Sequence, residues 1–251
     1  MKSISAANCT VKQPRLAVHD CSQCEVREIA VCTALSWPEL ERLEAISVKK
    51  TYETGETIFS SEEPTLVVGT VVRGAIKAFK LLPDGRQQIV GFLFPGNFIG
   101  SVTHDVNRCF SEALSPVEMC VFPYSGLQKL MHEMPNLERQ LLKQARDDLD
   151  LAQEWMLLLG RKTAQERVAT FLLLLATKAI PFGGDGVSID LPMNRTEIAD
   201  YLGLTIETVS RHFSKLRNAG MIDIDNNRQV TIKSRAHLVA TAEGTARTRA
   251  T

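Results

Sequence analysis

The sequence predicts an α+β protein made of an N-terminal antiparallel β-roll, one long helix and a C-terminal winged helix-turn-helix. Three observations carry that prediction. Short β-rich runs cut by Gly and Pro turns fill residues 48–124, an apolar-periodic segment free of Gly and Pro follows at 135–159, and residues 194–213 hold two helix starts separated by a glycine turn. The implied units are residues 1–134, 135–160 and 161–236, with a tail at 237–251.

Residues 1–20 show no periodicity and read as a loose polar arm, without the apolar stretch of a secretory signal. Helical spacing begins at Trp37 and runs to Ile46, with Ser36 as its N-cap. The β-rich runs are 67–73, 75–82, 88–94 and 118–122, separated at Gly55, Gly74, Pro83-Asp84-Gly85 and Pro95-Gly96-Asn97. Gly and Pro supply the backbone angles of tight turns, so the region reads as an antiparallel roll or barrel.

The long segment would form a rod of roughly 37 Å at the α-helical rise. Leu142, Ala145, Leu149, Ala152, Met156 and Leu159 recur at alternating three- and four-residue steps, which makes an a/d seam, while Arg146, Asp147, Asp148, Asp150 and Glu154 lie off it. An amphipathic helix packed on its own domain has the same spacing. A seam of this length favours a two-stranded coiled coil, hence a homodimer.

Residues 164–179 form a second, strongly apolar helix, followed by a turn at 183–186 and a short strand at 187–191. Asn194 with Glu197 three residues on is a capping arrangement, Gly203 ends the first helix of the next unit, and Thr205 caps the second. Ile198, Ala199 and Leu202 supply the inner face of the first helix, and Val209, Phe213 and Leu216 that of the second. The hairpin 221–224 and 229–232, joined by Asp225-Asn226-Asn227-Arg228, completes a winged helix, and the Ala/Thr-rich tail beyond His237 reads as disordered.

Glu207, Ser210 and Arg211 share one stripe near the start of the second helix, where such helices meet base edges. Arg bonds guanine bidentately, Glu accepts from the cytosine amino group, and Ser serves either class. The bland reading of the same stripe is a solvated face with a Glu207–Arg211 ion pair. His212, Lys215, Arg217 and Arg228 suit phosphate contacts, which position a protein on double-stranded DNA without reading it. Charge agrees. Residues 1–160 hold 16 Lys and Arg against 20 Asp and Glu, and residues 161–251 hold 13 against 9, so a net zero divides into −4 and +4. No apolar run nears the roughly 18 residues of a membrane span, and the chain is expected to be cytoplasmic.

Six cysteines, at positions 9, 21, 24, 32, 109 and 120, point in a reducing compartment to metal or redox chemistry rather than disulfides. Cys21, Cys24 and Cys32 form a C-x2-C-x7-C cluster. Zinc, a disulfide switch or inert thiols are each compatible with it, although a zinc site usually has a second close pair. A dithiol enzyme at Cys21-Ser-Gln-Cys24 lacks a surrounding βαβ pattern. With no Ser-His-Asp set, carboxylate pair or phosphate-binding Gly loop either, an enzyme is not expected.

The order of β-roll (of the cyclic-nucleotide-binding type), long helix and winged helix resembles the CRP/FNR superfamily over nearly the whole chain. The string Leu-Gly-Leu-Thr-Ile-Glu-Thr-Val-Ser-Arg at 202–211 is similar to its FNR branch. The resemblance implies a homodimer reading a TTGAT–N4–ATCAA palindrome through Glu207, Ser210 and Arg211, and a contact with RNA polymerase at residues 81–86. It also implies an oxygen-sensing [4Fe–4S] cluster held by Cys21, Cys24, Cys32 and Cys120, the last within Met119-Cys120-Val121-Phe122-Pro123. The N-terminal spacing is two residues longer than in enteric members and resembles that of α-proteobacterial ones. Where some relatives carry an acidic seam residue, this chain has Ala152. Cyclic-nucleotide members use a Glu and an Arg-Ser-Ala segment as anchors; Ser101, Ser111 and Glu112 fall at those places here, so no cyclic nucleotide is expected. A cluster-free activator of the same branch is the alternative.

Overall fold

A computed structural model describes residues 20–102, 105–179, 184–226 and 228–245. Two short 3-10 turns, Cys21–Gln23 and Val31–Ala34, carry the first cysteines and lead into helix α1 (Trp37–Glu44). Ser36 starts α1 as expected: its backbone N–H donates to Glu39 Oε2 at 2.8 Å in a capping box. Strands β1 (Val48–Tyr52), β2 (Thr57–Phe59), β3 (Val67–Arg73), β4 (Ile76–Leu81), β5 (Gln87–Leu93), β6 (Phe98–Ile99), β7 (Phe110–Ala113) and β8 (Val117–Pro123) follow. They build two antiparallel sheets, ordered β1-β8-β3-β6 and β2-β7-β4-β5, so the roll is borne out. Gly69 in β3 faces Cys120 of β8 so closely that a Cβ there would stand 2.6 Å from the Cys120 carbonyl.

Helix α2 (Tyr124–Glu133) leads into α3 (Pro135–Arg161), the expected long rod. Its buried residues Leu137, Leu141 and Leu158 hold its two ends to the chain's own core. Between them Leu142, Ala145, Leu149, Ala152 and Met156 stand exposed, Leu142 by 70% and Met156 by 66%. The seam prediction needs one correction: Leu159 is partly buried against the chain's own C-terminal core, because the rod's last turn already packs on that domain.

Helix α4 (Ala164–Ala179) precedes β9 (Ser188–Asp190), α5 (Arg195–Leu202), α6 (Ile206–Asn218), β10 (Ile222–Asp225) and β11 (Gln229–Ile232), with sheet order β10-β11-β9. Asn194 Oδ1 accepts from the Glu197 N–H at 3.0 Å, and Gly203 takes the left-handed conformation at φ +61, as the motif requires. The disordered tail is corrected too. Residues Arg235–Ala242 form helix α7, packed on α4, with Leu238 fully buried and Ala242 nearly so. Small residues masked an apolar edge, and Thr241 satisfies its hydroxyl on the His237 carbonyl at 2.9 Å. One apolar core joins Phe79, Ile89 and Phe92 of the roll to Phe171, Tyr201 and Phe213 of the C-terminal domain. Among the described residues no helix is long and apolar enough to cross a membrane.

Candidate functional site: a DNA-reading face and a cysteine pocket

Helix α6 buries Val209, His212, Phe213 and Leu216 and turns Glu207, Ser210 and Arg211 to solvent on one stripe. Among the described residues no ion pair joins Glu207 to Arg211, while the solvated face that the bland reading also expects is what the stripe presents. The Glu207 carboxyl is held below its usual range by its own backbone N–H at the helix start and by the Thr205 hydroxyl. It is a hydrogen-bond acceptor at neutral pH. Lys215, Arg217 and Arg228 are exposed as expected of phosphate contacts.

His212 is not. It is 8% exposed, and its Nδ1 has no partner. It continues the inner stripe of Val209 and Leu216, which counts against the expected phosphate contact. Burial lowers its pKa, helped by Lys215 and Arg211.

Sequence reasoning missed Arg195, the first residue of α5. Its guanidinium lies 3.7 Å from the centroid of the Phe213 ring, and burial is what lowers its pKa. It lines a groove of about 420 Å³ with Ser210, Ser214, Arg217, Asn226 and Arg228, between α6 and the wing. Three arginines and short polar side chains beside the exposed stripe suit a DNA backbone. The available signal was position, directly after the Asn194 cap.

At the other end of the molecule, Cys21, Cys24, Cys32 and Cys120 line one pocket with Val26, Thr70 and Phe122. Two distant segments thus bring together the four thiols expected. Cys109 lies elsewhere, beside the roll's larger cavities, and Cys9 falls outside the described residues. Burial first, then Glu44 and the neighbouring cysteines, pushes the Cys21 thiol up to about 12. Burial and Cys24 push Cys32 to about 11, and burial followed by Cys21 raises Cys120. Only a bound cation would keep such thiols ionised at neutral pH.

Thr70 pairs with Cys120 across β3 and β8, and its hydroxyl is buried in that pocket without a hydrogen-bond partner. A donor set of four thiols with an orphaned hydroxyl fits a thiolate-ligated cluster in kind and number. The enclosed space is only about 10 Å³, so holding a cluster requires the segment of Cys21, Cys24 and Cys32 to yield outward. Among the described residues, no three His, Cys, Asp or Glu side chains are disposed to hold a single metal ion.

The segment is tied to the rest of the chain. Val26, Ala30 and Val31 share a core with Leu137 and Leu141 at the root of α3, and Glu25 pairs with Arg73 of β3. In the roll, a cavity of about 410 Å³ is lined by Phe59, Ser101, Arg108 and Ser111 among others, with Gln144 and Asp148 of α3 along one side. Glu112 points elsewhere, to Lys77 at 2.8 Å.

Residues 49–134 match the cyclic nucleotide-binding domain family, and residues 166–241 match the Crp-like helix-turn-helix domain family. The nitrogen fixation regulation protein FixK of Bradyrhizobium diazoefficiens is 41% identical over 82% of this chain and 87% of its own length. The transcriptional activator protein FnrL of Cereibacter sphaeroides is 36% identical over 93% of this chain and 96% of its own. The solved structure of FixK2 from Bradyrhizobium japonicum superposes with a TM-score of 0.74 at 37% identity, covering 78% of this chain and 97% of that one.

Proposed function

The chain belongs to the FNR branch of the CRP/FNR family of DNA-binding transcription regulators, and from that premise we propose that it senses oxygen and reads a TTGAT–N4–ATCAA palindrome as a homodimer. Glu207, Ser210 and Arg211 read bases in each half-site, while Lys215, Arg217, Arg228 and the added Arg195 hold the backbone. The exposed α3 residues Leu142, Ala145, Leu149, Ala152 and Met156 are the pairing surface. They set the two reading heads about one helical turn of DNA apart, roughly 34 Å. A chromosomal operator places the protein in the cytoplasm.

Cys21, Cys24, Cys32 and Cys120 would hold a [4Fe–4S] cluster, and the observation that carries this is their convergence on one pocket beside the orphaned Thr70 hydroxyl. Such a cluster supplies an oxygen-labile centre. The chain's own part is transmission. Val31, next to Cys32, packs with Leu137 and Leu141, so any outward or inward shift of the cysteine segment changes the footing of the pairing helix. Oxygen acts on the dimer only as far as the two packings differ in free energy. Ser101 and Ser111 line the roll cavity at the anchor places of cyclic-nucleotide members, which supports a regulator without that ligand, whereas Glu112 faces Lys77 and repels nothing in the cavity. Leu81 and Leu82, each 48% exposed at a tight hairpin tip, offer RNA polymerase an apolar contact.

The second reading, a cluster-free activator of the same branch, is favoured by the small enclosed space of about 10 Å³. An anaerobic ultraviolet–visible spectrum with metal analysis separates the two. The sensor is brown, holds about four iron per chain and bleaches in air. Cys120→Ala abolishes the chromophore and a change at Cys9 does not. A colourless, iron-free wild-type protein that still binds the palindrome establishes the second reading.

A further inference from the structure

Helix α5, the non-reading helix of the pair, is where the roll grips the C-terminal domain. Tyr201 is 4% exposed, stacks on Trp155 of α3 at 3.8 Å between centroids, and meets Phe92 of β5 edge-on at 4.7 Å. Gln87 Nε2 donates to Asp200 Oδ2 at 3.0 Å, and Gln88 Nε2 to the Asp200 carbonyl at 2.7 Å. The remaining contact is charged. Lys77 of β4, 8% exposed, donates to Glu112 Oε1 at 2.8 Å and to Glu197 Oε1 at 3.1 Å.

Glu197 therefore serves two elements with its two oxygens. Oε2 accepts from the Asn194 N–H at 2.8 Å and closes the cap of α5, while Oε1 accepts from the roll. The helix-turn-helix is thus held at both ends of α5, by Lys77 at its first turn and by Gln87, Gln88 and Phe92 at its last, and the outer stripe of α6 stays free.

We propose that Lys77 is a positioning residue for DNA recognition: by holding α5 through its capping carboxylate, it sets the attitude of the reading helix and hence the half-site spacing that the dimer accepts. One ammonium lies between two carboxylates. Removing it breaks two charged hydrogen bonds and also leaves Glu112 facing Glu197 across the domain boundary, with like charges in a partly buried site. Repulsion then lifts the first turn of α5 from the roll, and the head pivots about the aromatic contact of Tyr201 with Phe92 and Trp155. A pivoting head still carries Glu207, Ser210 and Arg211 intact. It reads each half-site but no longer insists on the distance between them, since one added base pair shifts and rotates the second half-site by a fixed step.

The spacing part of the proposal rests on the palindrome-reading dimer proposed above; the docking part does not. Docking is read from Trp155 in full-length protein carrying Trp37→Phe, which leaves Trp155 as the one tryptophan. Lys77→Met is expected to shift its emission to longer wavelength and open it to acrylamide. Glu197→Gln keeps the cap, because Gln also serves at that position, and is expected to do less. Adding Glu197→Gln to Lys77→Met should recover part of the loss, since it removes the repulsion. A residue that merely supports the fold would show no such recovery.

Spacing is read as the ratio of affinities for palindromes with four and six intervening base pairs, measured anaerobically with reconstituted protein. The ratio is expected to fall roughly tenfold in Lys77→Met, the size of a lost coupling between touching groups, and to return in Lys77→Arg. Unchanged Trp155 emission and quenching in Lys77→Met overturn the docking role whatever DNA is bound. If emission shifts but the ratio holds, the spacing role is wrong. If wild-type protein ignores both palindromes, the operator proposed above is wrong and the spacing role falls with it.

Discussion

Arg211 and Lys215 lie one helical turn apart on α6, yet their expected contributions differ in kind. Arg211, exposed on the reading stripe, can form a bidentate pair with guanine, so Arg211→Ala should cost about 1–3 kcal/mol and relax preference at one base pair. Lys215→Ala should weaken all sequences alike and reduce the salt slope by about one. Titration against single-base operator variants at several salt concentrations checks both; equal behaviour of the two variants would remove Arg211 from the reading set. His212, their neighbour, carries a different expectation. Its folded pKa lies below the ordinary 6.5, so the unfolded chain binds the proton first as pH falls below that value, and stability drops until the folded-state pKa is passed. His212→Leu should flatten this acid limb, and by removing an unpartnered buried nitrogen it should add about 1–2 kcal/mol at neutral pH. Thermal unfolding at pH 7.5 and 5.5 decides; an unchanged acid limb would place the proton elsewhere. Helical period showed that residue 212 falls beside Val209 and Leu216, but the polar identity of His suggested solvent. That Glu207, Ser210 and Arg211 share one exposed face is legible because i, i+3, i+4 spacing alone puts them together. Arg195 was not, since its place beside Phe213 depends on how α5 crosses α6.

Among the elements, α3 shows how far periodicity reaches. The three- and four-residue steps from Leu142 to Met156 located an apolar stripe, and that stripe is left uncovered within the chain. The pattern overran by one position because Leu159 has the same spacing but meets the chain's own core, which only the tertiary path of α4 and α5 decides. The same limit hid α7, whose Leu238 is fully buried although its neighbours read as low-complexity tail. Short strands β2, β6 and β7 escaped as well, being two to four residues long and held by partners distant in sequence. If the uncovered stripe pairs with a second copy, a charge at Ala152 would be buried beside its own image. Ala152→Asp should then weaken association by on the order of several kcal/mol over the two copies. Sedimentation equilibrium of the variant and wild type measures this; identical dissociation constants would move the pairing surface off α3.

For the molecule as a whole, the question is how a change at one end reaches the other, and the packing provides a continuous route. The turn Val31–Ala34 carries Cys32 and lies against the root of α3, where Val31, 1% exposed, shares a core with Leu137 and Leu141. The middle of α3 carries the exposed apolar stripe, and Trp155 near its end stacks on Tyr201 of the C-terminal domain. Each joint is apolar and close-packed, so it passes on displacement rather than absorbing it. Val31→Ala tests the first joint without touching any sulfur. The truncation should cost about 1–3 kcal/mol of local packing and leave all four thiols in place. Coupling is reciprocal: if the centre tightens the dimer by some factor, dimerisation stabilises the centre by the same factor. The quantity to compare is the ratio of dimer dissociation constants with and without the iron–sulfur chromophore. In Val31→Ala the anaerobic chromophore should persist while that ratio falls towards one, because the cysteine segment can then shift without moving Leu137 and Leu141. A variant that keeps both the chromophore and the full ratio would show that the signal bypasses Val31 and enters α3 through another contact, of which β8 at Cys120 would be the first to examine.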